Sequence, residues 1–388
     1  MQKNKMPTAY IGKEQAYVKH TILRTYLQRL FMIVGRGKEP IINYVDCFAG
    51  PWQEEDDKLS DTSIGISLEQ MALCQQSLEK NFSRKVSFRA LYIEKDPGAY
   101  NKLHNFLSDT PYPTIETKCL QGDYTELLDE IVDWCGSYFS FFFVDPTGWQ
   151  NVVGAKTMQP LLRLGKAEFL INLMYDFINR FVGVDKHTGD MVEIFGEAPT
   201  FKDETPEERQ LVLLSLYRKN LLFYYGGRSA FVPVEKPGKA RVHYYLVYLT
   251  RHVRGIDVFK TEAEKMEHVQ RITQQEFKLR QQINQSATGD LFGDTIEGAL
   301  KIDNSLNNKL QARQYLLGQL SKEPTLIDCD KWADFLEESD LYPSDLQIAM
   351  KELVKEGLVK NINADVSQRR TKIIKPNWPN KSERWVLV

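Results

Sequence analysis

The chain has little cysteine. Its five residues, Cys47, Cys74, Cys119, Cys135 and Cys329, are scattered and never spaced as CxxC. That argues against a disulfide framework and against a zinc site, so no metal is expected, and it fits reduced thiols in a cytoplasm. The sequence also lacks an apolar run long enough to cross a bilayer, and its opening "MQKNKMPTAYIGKEQAYVKH" lacks the apolar centre of a signal peptide, so a cytoplasmic protein is expected. There is no surplus of either charge. Lys and Arg number 50 against 52 Asp and Glu, a net charge of −2, so any attraction to nucleic acid must be local. Compositional bias is missing as well: 42% apolar and 26% charged residues exclude wholesale disorder or a fibrous fold, and 388 residues suffice for two or three domains.

What is present is periodic. In residues 13 to 34, Val18, Ile22, Leu23, Tyr26, Leu27, Leu30 and Phe31 recur at spacings of three and four, which predicts an amphipathic helix stopped by Gly35 and Gly37. Four short apolar runs follow, "IINYVDCF" (41 to 48), "RALYIEKD" (89 to 96), "ETKCLQGD" (116 to 123) and "YFSFFFVDP" (138 to 146), with helical patterns at 64 to 81, 98 to 108 and 124 to 136 between them. Strands alternating with helices of this length predict βαβ units and an α/β fold with a Rossmann-like, doubly wound sheet. A helix at 154 to 165 and strands at 167 to 175 and 241 to 252 continue the pattern. Residues 176 to 240 read as an insertion of unassigned role containing a capped helix. Tyr244, Tyr245 and Tyr248 fit strand packing better than a base-stacking platform.

The first four strands each end in an acid: Asp46, Glu94, Asp123 and Asp145. One such acid is an ordinary helix cap, but four at successive strand ends point to a shared site, because open parallel sheets bind ligands outside the carboxyl ends of their strands. After Asp46 and Phe48, the small residues Ala49 and Gly50 allow backbone to approach a ligand. Glu94, followed by Lys95, stands where nucleotide folds place an acid on ribose hydroxyls. Asp123 can accept from an adenine amino group, with Tyr124 bordering the ring. Asp145 and Pro146 can meet a reacting group, since proline stiffens the turn. The acid run at 54 to 57 reads as a solvated loop.

In this order "YVDCFAGP", "YIEKDPGAYNKL", "QGDYTELL" and "FFVDPTGW" resemble motifs I to IV of class I S-adenosylmethionine-dependent methyltransferases. "AYVKHTIL" before "DCFAGP", with "RVHYYLVYLTRHVRGIDVF" later, resembles the three-Cys-motif partner (TcmP) family. "AYVKHTIL" is also similar to a segment of the methyltransferases that modify the exocyclic amine of adenine in large-subunit ribosomal RNA. The likeness spans about residues 9 to 260. It implies S-adenosylmethionine as cofactor, with its methionine part near Asp46, Phe48, Ala49 and Gly50, its ribose on Glu94 beside Lys95, and its adenine at Asp123 and Tyr124. It further implies that Asp145 and Pro146 occupy the place of the Asp-Pro-Pro-aromatic loop that holds a target amine, and that Lys19 and His20 line the cleft. Trp52 stands where the first motif usually has a second glycine, and the fourth motif, through Thr147, Gly148 and Trp149, lacks the second proline.

Residues 261 to 308 predict a long polar helix and a linker. From 309 to 388, helices at 306 to 320, 329 to 338 and 343 to 356 precede a hairpin-like tail, the order of a winged helix. Residues 351 to 388 hold nine Lys and Arg against four Asp and Glu, densest at Arg369, Arg370 and Lys372, the footprint of nucleic-acid contact. Three functions are expected on these grounds. The first is a methyltransferase acting on an amino group of DNA or RNA presented by the winged helix. The second is a catalytically degenerate partner of a three-cysteine, radical-SAM-like protein, and the third a DNA-binding regulator.

Overall fold

The computed structural model describes residues 6–50, 59–146, 148, 152–239, 241–285, 305–363, 372–376 and 383–388. The chain divides into two compact units, Met1–Arg251 with Met266–Thr273, and His252–Lys265 with Gln274–Val388.

The first unit is built on a seven-stranded sheet: β1 (Ile41–Asp46), β2 (Ser87–Glu94), β3 (Glu116–Gln121), β4 (Phe139–Val144), β5 (Ala167–Leu173), β6 (Arg228–Glu235) and β7 (Val242–Thr250), in the order β3-β2-β1-β4-β5-β7-β6. The pairs β1–β2, β2–β3, β1–β4 and β4–β5 are parallel. β7 runs antiparallel to both β5 and β6. The central strands are buried on both faces, as a doubly wound sheet requires: β5 is buried at every position, whereas in β3, at the sheet edge, Leu120 alone is buried. Strand order reverses between β1 and β4, which sets the switch point of the fold there.

Helices α1 (Glu14–Arg36), α2 (Ser63–Phe82), α3 (Pro97–Ser108), α4 (Leu128–Cys135), α5 (Gln159–Leu162), α6 (Tyr175–Ile178), α7 (Thr188–Phe195) and α8 (Pro206–Tyr225) surround the sheet in sequence. All seven apolar residues of the α1 stripe are buried. Gly35 does not stop α1, as its composition predicts, but lies inside the last turn. A Cβ there would sit 2.4 Å from Leu78 Cδ1, so glycine lets α1 and α2 close together, and Gly37 is the cap. α2 and α3 begin on side-chain caps, Thr62 and Asp96, whose oxygens accept from Gly65 N and Ala99 N. The predicted helix at 154 to 165 is a single turn, α5. Pro160 has no amide hydrogen to give an upstream carbonyl, so a helix can begin but not continue through it. In the expected insertion, Thr205 and Glu208 form a reciprocal capping box at the start of α8, and Gly226 closes it. The same insertion contains β6, an edge strand. Tyr244, Tyr245 and Tyr248 are buried within β7 and pack as strand residues.

α9 (Val253–Gln285) contributes residues to both units. The second unit further holds α10 (Ser305–Gln319), β8 (Thr325–Ile327), α11 (Cys329–Glu338), α12 (Pro343–Lys355), β9 (Val359–Asn361) and β10 (Glu383–Leu387). Its strands form an antiparallel sheet in the order β8-β10-β9. Asp328 caps α11, and Trp332, Phe335, Leu336, Leu346, Met350, Leu353 and Trp385 are buried in this unit. Of the basic residues at the expected wing, Lys372 is exposed, whereas Arg369 and Arg370 lie outside the described residues, as does the linker at 286 to 304. No described helix is long and apolar enough to cross a membrane.

Candidate functional site

A cavity of about 890 Å³ opens at the carboxyl ends of β1 to β4, against the switch point. Each strand contributes the residues that follow it: Phe48 and Gly50 after β1, Glu94 and Lys95 at β2, Asp123 and Tyr124 after β3, and Pro146 and Gly148 after β4. The size falls within the range of small-molecule and cofactor sites.

The β1 end is shaped by a buried carboxylate. Asp46 is fully buried and its Oδ1 accepts from Phe48 N at 3.1 Å, which folds the chain back on itself. Burial pushes its pKa up to about 6, against the opposing hydrogen bonds from Ser63 and Phe48. Ala49 N donates to Ile93 O at 2.9 Å, tying the turn to β2, and the Phe48 ring meets Tyr124 edge to face at 5.1 Å. Asp46 and Ala49 thus hold the turn from behind, while Phe48 and Gly50 face the cavity. Pro51, Trp52 and the acid run at 54 to 57 lie outside the described residues.

At the β2 end, Glu94 accepts from Asp96 N at 2.6 Å while lining the cavity. At β3 the backbone needs glycine: Gly122 has φ +148°, its N–H reaches Glu94 O at 3.0 Å, and a Cβ would lie 3.1 Å from Leu127. Asp123 follows. Its Oδ1 accepts from Thr125 N and Oγ1 at 3.1 and 2.8 Å, and its Oδ2 from Lys95 Nζ at 3.0 Å. Burial alone would raise its pKa, but the hydrogen bonds from Lys95 and Thr125 outweigh it and hold the carboxyl below its usual value. Tyr124 is buried, its hydroxyl bonded to Val152 O.

The β4 end is different. Asp145 does not line the cavity, although Pro146 does. Its Oδ2 is paired with Lys19 Nζ from α1, and its Oδ1 accepts from Asn172 Nδ2 at 2.7 Å. Lys19 also lies 6.0 Å from the Tyr244 ring. His20, one position on and so turned about the helix, bonds Tyr10 through Nδ1 at 3.0 Å, and burial followed by the Lys19 charge lowers its pKa to about 3, leaving it neutral. The structure therefore joins Lys19 to Asp145 but directs His20 elsewhere.

Several residues here escape a reading of the sequence. Asn172, in β5, carries a signal, being a lone amide near the end of a buried apolar run. Phe177, Phe181 and His187 form a further cavity wall from the insertion. His187 Nδ1 lies 2.9 Å from Asp190 Oδ2 and its ring meets Phe181 edge to face at 4.7 Å.

No family model and no curated protein matches the chain. Solved structures similar to it include a Legionella pneumophila protein of family DUF519 (11% identity, TM-score 0.34, covering 60% of this chain and 85% of that one). Also among them are a loganic acid methyltransferase with SAH (8% identity, TM-score 0.28, 67% and 87%) and an S-adenosylmethionine-dependent methyltransferase from Anabaena variabilis (12% identity, TM-score 0.24, 55% and 77%).

Proposed function

We propose that the chain is an S-adenosylmethionine-dependent methyltransferase acting on an amino group of nucleic acid. The observation that carries this reading is the cavity itself, which opens at the switch point and draws one wall from the end of each of the first four strands, with Glu94 and Asp123 among its lining. The residues suit the cofactor: a carboxylate at β2 for ribose hydroxyls, a second at β3 beside the Tyr124 and Phe48 rings for an adenine edge, and Gly50 for close backbone approach. When bound, S-adenosylmethionine supplies an electrophilic methyl group. The chain's own part is alignment. The Pro146 turn borders the place of the acceptor, Lys19 and Asn172 fix the Asp145 carboxylate behind it, and the apolar rings of Phe177 and Phe181 help exclude water. The second unit, in which α10, α11 and α12 and the antiparallel sheet of β8, β9 and β10 follow one another in winged-helix order and Lys372 is exposed, is read as the module that presents the nucleic acid.

The test is titration calorimetry of the full chain with S-adenosylmethionine. Micromolar binding that Asp123→Ala abolishes is the expected result, and unchanged affinity in that variant would overturn the site. One observation favours a second reading, the non-catalytic partner of a three-cysteine protein: both Asp145 oxygens are engaged by Lys19 and Asn172. Cofactor binding without methyl transfer to any nucleic acid, together with co-purification of such a partner, would support it.

A further inference from the structure

Helix α8, in the insertion between β5 and β6, is apolar on two faces. Leu213, Leu214, Tyr217, Leu221 and Tyr225 are buried in the core of the first unit. Val212, Leu216, Lys219 and Phe223, at spacings of four, three and four, share a different face, on which Val212 is 40% and Phe223 80% exposed. One exposed apolar side chain is ordinary. A stripe of them at helical spacing marks a face that packs against something.

The stripe borders a groove of about 550 Å³ between α7 and α8, which shares no lining residue with the cavity at the strand ends. Val192, Phe195, Leu216, Phe223 and Tyr224 form its apolar lining, and Val192 is 43% exposed. Bonds behind the groove hold its shape. Asn220 Nδ2 donates to Glu193 O at 3.0 Å and to Ile194 O at 2.9 Å, clamping the end of α7 onto α8, and Thr157 Oγ1 donates to the Glu193 carboxylate. Gly196 caps α7 at φ +81°, where a Cβ would lie 3.1 Å from Asn220 Oδ1. A groove fixed in this way has little freedom to lose on docking.

Charge identifies the occupant. A face that docks on phosphates, whether of nucleic acid or of lipid, is dominated by cations, but here Lys156 and Lys219 are balanced by Glu193 and Glu197. A two-fold axis lays a surface against itself, so a self-associating face must carry both signs, as this one does. Its shape is complementary in the same sense, because the protruding Phe223 ring stands beside the groove that a second such ring would fill.

We propose that the α7–α8 face is a self-association surface. A second copy of this chain docks across a two-fold axis, each Phe223 seated in the other copy's groove and each Lys219 paired with the other's Glu197. This gives the insertion a role that does not depend on the methyltransferase reading.

The experiment is sedimentation velocity of the full chain from about 1 to 100 μM, which brackets a micromolar dissociation constant. A dimer and nothing larger is expected, because a two-fold contact closes on itself. Phe223→Asp is expected to weaken dimerisation by about thirtyfold or more, as loss of a central aromatic anchor does. Since that ring is exposed in the single copy, circular dichroism and thermal unfolding should be unchanged. Lys219→Glu is expected to weaken the dimer about tenfold, and Glu197→Lys added to it should restore the affinity by reversing the pair. A monomer throughout this range overturns the proposal. So does a dimer that Phe223→Asp leaves intact, or a Lys219→Glu defect that Glu197→Lys does not repair.

Discussion

The ends of β2 and β3 and the end of β4 carry equivalent acids by sequence, yet the fold treats them in opposite ways. Glu94 and Asp123 line the cavity and are held by hydrogen bonds from their own loops, Asp96 N and Thr125, with the exposed Lys95 as a counter-charge to Asp123. Asp145 is withdrawn from the lining and locked by Lys19 from α1 and Asn172 from β5, groups distant in sequence. Local satisfaction leaves a carboxylate open to a ligand. Long-range satisfaction makes it part of the frame, and the β4 side of the cavity then depends on what Lys19 does.

Lys19 is therefore where the comparison breaks hardest. Its ammonium and the Asp145 carboxylate are 15% and 17% exposed, so Lys19→Met leaves a largely buried charge unpaired. The expected loss is about 3–4 kcal/mol in denaturant unfolding, with methyl transfer abolished. A loss within the range of surface pairs would mean that water reaches Asp145 and that the two regions are alike. Asp46 comes next. A buried carboxyl whose folded pKa is raised to about 6 favours the folded state only while protonated. Relative to Asp46→Asn, stability of the unsubstituted protein should thus fall as pH rises from about 4 through 6 and then level off, by no more than about 3 kcal/mol. Parallel stability profiles for the two proteins would show that Asp46 is ionised without cost.

Glu94→Gln sharpens the open side. The amide oxygen can still accept from Asp96 N, so folding is expected to be nearly unaffected, whereas loss of a charge-assisted bond to a ribose should weaken S-adenosylmethionine binding roughly tenfold, about 1.4 kcal/mol. Equal affinity in calorimetry would remove Glu94 from the cofactor site.

Much of this is legible in the order of the residues. The spacing of Val18 to Phe31 marks the buried face of α1, and acids at strand ends point to the cavity, because both depend on local periodicity and on strand direction. β6 is hidden because Pro233 argues against a strand. It is tolerated because β6 is the sheet edge, a fact of topology and not of the segment. The partners of Asp145 and Asp176 are hidden for a related reason: Lys19 of α1 and Asn172 of β5 meet Asp145, Lys236 and Arg241 from the stretch between β6 and β7 meet Asp176, and no spacing along the chain records such long-range encounters. Gly35 resembles a stop signal because composition cannot report that Leu78 approaches it.

The smallest effect is the most discriminating for the open side. Lys95 is 76% exposed and bonded to Asp123, and its charge helps to hold that carboxyl below its usual pKa. Lys95→Met should leave thermal stability unchanged, because an exposed pair is screened and mobile. It should nonetheless move the cofactor's pH dependence. Without the ammonium, burial acts on Asp123 with only Thr125 opposing it, so the carboxyl titrates at higher pH and S-adenosylmethionine binding, which needs the ionised acceptor, fades earlier as pH is lowered. Calorimetry between about pH 4 and 6 on both proteins measures this. Coincident profiles would mean that Asp123 does not contact the cofactor, and the open side of the comparison would then rest on Glu94 alone.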